Sequence, residues 1–77
     1  MERREEELVQ RHVVHDEALK ALYLEHQELK HRIEAFNSKL YLTPEDEMER
    51  KRLQKLKLAS KDRIMELLNR HQNNEAR

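Results

Sequence analysis

The sequence predicts an all-α fold: a coiled-coil-like, two-helix antiparallel hairpin that dimerises into a four-helix bundle, in one domain spanning residues 1–77. Three observations predict it. From Leu8 to Leu40, seam residues recur at alternating steps of four and three through His12, His15, Leu19, Leu22, His26, Leu29, Ile33 and Phe36, the period of one buried helical stripe. A second seam at Glu49, Leu53, Leu56, Ser60, Ile64, Leu67 and His71 follows a helix-start signal at Thr43-Pro44. The composition also suits long helices, because no glycine, one proline and 42% charged residues leave few helix breakers.

Residues 2–7 are all charged, so the extreme N-terminus has little to pack and is expected to fray. The first helix is expected over about 6–37, ending where Asn37 and Ser38 interrupt strong helix formers, and residues 38–43 form the connection. Thr43 offers a hydroxyl cap, Pro44 sits where no amide bond is needed, and Glu45, Asp46 and Glu47 face the positive helix end. The second helix is expected over 44–71, with a frayed polar tail at 72–77. Two helices of similar length with a short connection pack antiparallel. Folding at that connection sets Leu29 near Leu53, His26 near Leu56, Leu22 near Ser60, Leu19 near Ile64 and His12 near His71.

The expected hairpin core is Leu19, Leu22, Leu29, Ile33, Phe36, Leu53, Leu56, Ile64 and Leu67. Leu58, Met65 and Leu68 form a second stripe, turned away from the main seam at about 100° per residue, and are assigned to self-association into a homodimer. Val9, Val13, Tyr23 and Leu24 also fall outside the first seam.

Composition narrows the function classes. Without cysteine there is no disulfide framework and no thiolate metal site, and no apolar run reaches the length of a membrane span or signal segment. A cytoplasmic, unprocessed chain is expected. Residues 1–47 carry twelve acids and seven bases, residues 48–77 four acids and nine bases, so the two parts bear about −5 and +5. Two complementary helices, or a basic arm seeking an acidic partner, fit that split.

From Glu25 onward the residues resemble the YdcH-like family of small bacterial proteins of unknown function. Glu25-His26, Leu29 and Arg32-Ile33 are similar to its acidic-His, Leu, basic-Ile pattern. Leu53-Gln54-Lys55, Lys57-Leu58 and Lys61-Asp62-Arg63-Ile64 follow its second-helix signature without a gap, over roughly residues 19–70 in all. Ser60 departs from it, where the family usually carries leucine, and the Thr43-Pro44 cap is not a general family feature. The resemblance implies a helical hairpin, often self-associating, and no activity or catalytic residues.

Chemistry is sparsely signalled. His12 and His15 have the i, i+3 spacing that can share a metal, with His71 brought near by the hairpin, but they are read as polar interruptions of a packing seam near the open end of the hairpin. Glu28-x-x-His31 matches half of a di-iron pattern but points away from the seam, and the second helix has no matching copy. Ser38 and Ser60 are the only serines, and no glycine shapes an oxyanion loop, so no catalytic residue, metal or cofactor is assigned and no enzyme is expected. Arg50, Lys51, Arg52, Lys55, Lys57 and Lys61 form a run without an intervening acid that can touch phosphates. They wind around the helix, and Tyr23, Phe36 and Tyr41 are the only aromatics. The expected function is a non-enzymatic interaction or scaffold module with an unidentified protein partner; nucleic-acid binding through Arg50–Lys61 is the alternative.

Overall fold

The computed structural model describes residues 2–75, with side chains described to residue 73. It is all-helical, with no strand among the described residues, but it has three helices where the heptad pattern predicts two. These are α1 (Arg3–Val13), α2 (Glu17–Asn37) and α3 (Pro44–Glu75). The two-helix hairpin is therefore corrected: what reads as one helix over 6–37 breaks and reverses at residues 14–16.

Asp16 makes the break. Its backbone is extended (φ −130°, ψ 98°), and its Oδ1 accepts the Leu19 amide hydrogen at 3.0 Å, which caps α2. The following Glu17 adds negative charge at the same helix end. Val13 and Val14, β-branched and poor at extending a helix, precede the turn, which closes with His15 N–H donating to the His12 carbonyl at 3.2 Å.

A straight helix would keep a few more backbone bonds but leave α1's apolar face in water. Folded back, Val9 is completely buried against Leu19, Ile64 and Leu68, with Leu8, Val13, Tyr23 and Met65 packed around them. Burying a Val or Leu side chain contributes about 1.5–3 kcal/mol, and the Asp16 cap adds about 1 kcal/mol in the same direction. Burial therefore decides for the reversal. α1 runs antiparallel to α2 and in the same direction as α3, with Glu5 beside Lys61 at one end and His12 over His71 at the other.

This placement also corrects the four-helix bundle. The stripe of Met65 and Leu68, expected to meet a second copy, is covered by the chain's own α1; Leu68 is 1% exposed. Leu58 lies outside that contact and is 59% exposed.

α2 and α3 form the long seam. Leu29, Ile33 and Leu53 make a second core cluster, sealed by half-buried Phe36. Between the two clusters lies a buried polar layer, where His26 Nδ1 meets Ser60 Oγ at 3.0 Å. The expected neighbours Leu29 and Leu53, and Leu19 and Ile64, share clusters, while His26, expected near Leu56, finds its hydrogen-bond partner one helical turn further along α3 at Ser60. Leu56 turns outward and is 41% exposed.

The connection is tied at both ends. Ser38 N–H donates to the Glu34 carbonyl and Lys39 N–H to that of Phe36, at 3.0 and 3.1 Å. Thr43 and Asp46 then form a reciprocal capping box, with Asp46 N–H on Thr43 Oγ1 at 3.1 Å and Thr43 N–H on Asp46 Oδ2 at 3.2 Å. α3 continues through the expected tail to Glu75, and the Cα framework measures 51 × 19 × 16 Å.

Because Leu68 closes the α1 contact while Leu58 faces solvent, Leu68→Ala is expected to lower unfolding free energy by about 2–4 kcal/mol in urea titration. Leu58→Ala should change it by less than about 0.5 kcal/mol. Equal effects would reject α1 as the cover of that stripe.

Candidate functional site

The structure separates the expected core residues by depth. Leu19, Leu29, Ile33, Leu53 and Ile64 are buried, and Leu22, Phe36 and Leu67 are half-buried. Leu22 and Leu67 lie at the edge of the α2–α3 seam on the side away from α1. There they join exposed Leu56 and Ala59 in a shallow groove.

Two hollows define this groove. One, of about 120 Å³, is lined by Leu22, Glu25, Leu56, Ala59, Ser60 and Arg63. Its neighbour, of about 290 Å³, shares Leu22 and Arg63 and adds Ala18, Glu66, Leu67 and Arg70. Both rims carry charge: Glu25 stands on the α2 side and Arg63 on the α3 side, while Glu66 and Arg70 pair within α3 at 3.3 Å. The helices position these side chains by their repeat, since 18, 22 and 25, like 56, 59, 63, 67 and 70, share one face of their helix.

The basic run is dispersed. Arg50 donates to Asn37 Oδ1 at 3.0 Å, tying α3 to the end of α2. Arg52 pairs with Glu49 through bonds of 2.6 and 3.1 Å, which holds that carboxylate below its usual range. Lys61 faces Glu5 at 3.9 Å, and Lys57 is half-buried beside His26. Lys51 and Lys55 are exposed. The six cations do not gather on one face.

The His26–Ser60 pair resembles half of a nucleophile–base arrangement, but its polarity is wrong for one. Ser60 Oγ donates its hydrogen to the Lys57 carbonyl at 2.8 Å, so toward His26 it accepts, and Nδ1 is the donor. An imidazole donating to a serine cannot take its proton. Burial holds the His26 pKa below the ordinary 6.5, and the charge of Lys57 acts in the same direction.

The break brings together what the sequence spaces apart. His12 and His71 stack at a ring-centroid distance of 4.3 Å and an interplanar angle of 10°, and His15 stands edge-on to them at 5.4 and 5.7 Å. Asp16 Oδ2 meets His71 Nε2 at 2.7 Å. The capping hydrogen bond from Leu19, and then His71, hold the Asp16 carboxyl below its usual range. Among the described residues, no group of three His, Cys, Asp or Glu side chains is arranged to hold a metal ion.

Two contacts at the other end of α1 escape the heptad reading. The Tyr23 hydroxyl donates to Glu6 Oε1, and burial together with that carboxylate raises the tyrosine's pKa. Glu5 faces Lys61. The usable signal lay in Asp16 after a Val-Val pair, a cap residue behind poor helix formers.

No helix of the described chain is long and apolar enough to cross a membrane. No family model, curated protein or solved structure matches the chain.

A histidine whose folded pKa lies below its unfolded value contributes stability above pH 6.5 that is lost as pH falls towards the folded pKa. For His26 this predicts a lower Tm at pH 5.5 than at pH 7.5. His26→Leu should remove a measurable share of that difference in thermal melts monitored by circular dichroism; a fall as large as the parent's would exclude His26 as a contributor.

Proposed function

We propose that the chain is a non-enzymatic protein-interaction module that acts by self-association, and that the groove beside the α2–α3 seam is its contact surface. The observation that carries this is an uncovered apolar strip, Leu22, Leu56, Ala59 and Leu67, on the face that α1 leaves open. α1 covers one side of the seam; none of the described residues covers the other.

Charge complementarity points to a second copy as the occupant. A two-fold axis along the groove places α2 of one copy over α3 of the other at the same height. Glu25 and Arg63 line the same hollow, so each Glu25 then faces an Arg63 of the other copy, and the pair occurs twice by symmetry. The small core adds a motive. Among the described residues, seven buried apolar side chains are few for a chain of 77, and covering the strip would add to what they bury. The resemblance to self-associating hairpins agrees with this reading.

Light scattering at 100 µM should return twice the 9.5 kDa chain mass. Arg63→Glu, which places like charges together twice, should raise the dissociation constant at least about tenfold without loss of helicity. Combining it with Glu25→Arg should restore association. A monomeric parent at 100 µM, or a double variant no better than the single, would sink the proposal.

A further inference from the structure

The groove carries a finer pattern than an apolar strip. On α3, Leu56, Ala59, Ser60 and Arg63 line one hollow and Arg63, Glu66, Leu67 and Arg70 line the next, each set at i, i+3, i+4 and i+7. A third hollow, of about 200 Å³, repeats that spacing on α2, with Glu25, Glu28, Leu29 and Arg32. Four residues so spaced make the hole into which a facing helix sets one side chain in coiled-coil packing. The face that α1 leaves open is thus a row of such holes.

The hole on α2 suits an aliphatic side chain. Buried Leu29 gives it an apolar floor, and Glu28 and Arg32 close one side of its rim through a contact of 2.9 Å. Leu56 is the matching knob. Among the described residues it is the exposed large apolar side chain that lines the groove, at 41% exposure. Its height also matches. His26 and Ser60 meet at 3.0 Å and so are level, and Leu56, four residues before Ser60, is level in the antiparallel pair with the stretch four residues beyond His26. That stretch lies inside the hole, which α2 lines alone, without the Leu56 of its own chain.

Resting on the groove as the contact surface, we infer that Leu56 of one copy fills the α2 hole of the other, and that this contact fixes the orientation of the pair with both connections at the same end. The two-fold axis along the groove lays α3 of one copy over α2 of the other at unchanged height. Leu56 then comes over Glu28, Leu29 and Arg32, and the contact occurs twice by symmetry. An axis across the groove would instead set α3 on α3 and take Leu56 off the hole. Filling the hole removes the leucine from water and covers the Leu29 floor, which is the apolar gain that the Glu25 and Arg63 contacts lack.

The chain has no cysteine, so single introduced thiols report which residues meet. Leu56→Cys and Glu28→Cys chains, mixed in equal amounts and gently oxidised, should give the mixed disulfide at least about fivefold above either homodisulfide, since the bond forms only between Cα atoms within about 7 Å. Leu58→Cys in place of Leu56→Cys should show no such preference. Without crosslinking, Leu56→Ala should raise the dissociation constant at least about tenfold at unchanged helicity, and Leu56→Met, which keeps the volume, should stay within about threefold of the parent. A mixed disulfide at the chance ratio, Leu56→Cys pairing chiefly with itself, or a parent-like constant for Leu56→Ala would overturn the knob. A parent that dimerises and responds to Arg63→Glu while failing these tests keeps the groove and loses the knob; a monomeric parent ends both.

Discussion

Everything distinctive in this chain depends on the carboxylate of Asp16. Its Oδ1 ends the helical path by capping α2 at Leu19, and its Oδ2 reaches across to His71 near the end of α3. One side chain therefore starts α2, permits the reversal of α1 and ties the open end of the hairpin shut. Both oxygens are engaged, so the carboxylate stays charged and its two partners hold the turn in one geometry. If the chain continued straight through residues 14–16, Val9 would lose Leu19, Ile64 and Leu68, and the Leu68 stripe would lose its cover.

The α2–α3 hairpin was legible in the sequence because its signals are local and agree. Thr43-Pro44 followed by three acids marks a helix start in one way only, and α3 begins at Pro44. Leu29, Leu53 and Ile64 sit on seams that any antiparallel pairing must bury. The break was hidden for a physical reason. A heptad pattern records which residues face a partner, and says nothing about whether the backbone between two such residues is continuous. Leu8, His12, His15 and Leu19 keep their spacing whether α1 continues or folds back. The contrary signal was spread over residues that do not fit the seam: Val9, Val13 and Tyr23 on one side, Met65 and Leu68 on the other. Two orphan stripes in one chain can cover each other, and here burial made them do so. The groove was hidden for a related reason: Leu56 and Leu67 share a seam in the sequence, and heptad spacing does not tell a residue at the edge of a seam from one at its centre.

That register is set by polarity as much as by packing. His26 and Ser60 form a hydrogen-bonded layer between two leucine-rich clusters. A leucine there would bury more apolar surface and leave the His26 Nδ1 hydrogen without its acceptor. Sliding α3 by one turn would place the imidazole against Leu56 or Ile64 and strand both polar groups in an apolar seam. Leaving such a group unpaired costs about 1–3 kcal/mol, which is large beside the stability of a chain this size. The pair thus works against slippage, to which uniform heptads are prone.

The charge split along the chain finds a modest use inside it. Most ion pairs lie within one helix at i, i+3 or i, i+4, where exposed pairs contribute only a few tenths of a kcal/mol. Between α1 and α3 the Glu5–Lys61 pair draws on the opposite signs of the two parts, at 3.9 Å. Such a contact orients α1 without holding it. An eleven-residue helix that opens with charged residues is too short to persist alone in water, so α1 owes its helicity to docking. Folding of α1 and covering of the Leu68 stripe are therefore one event. The contacts at its two ends, Glu6 with Tyr23 and His12 stacked on His71, set where it docks, and the apolar stripe between them supplies the burial.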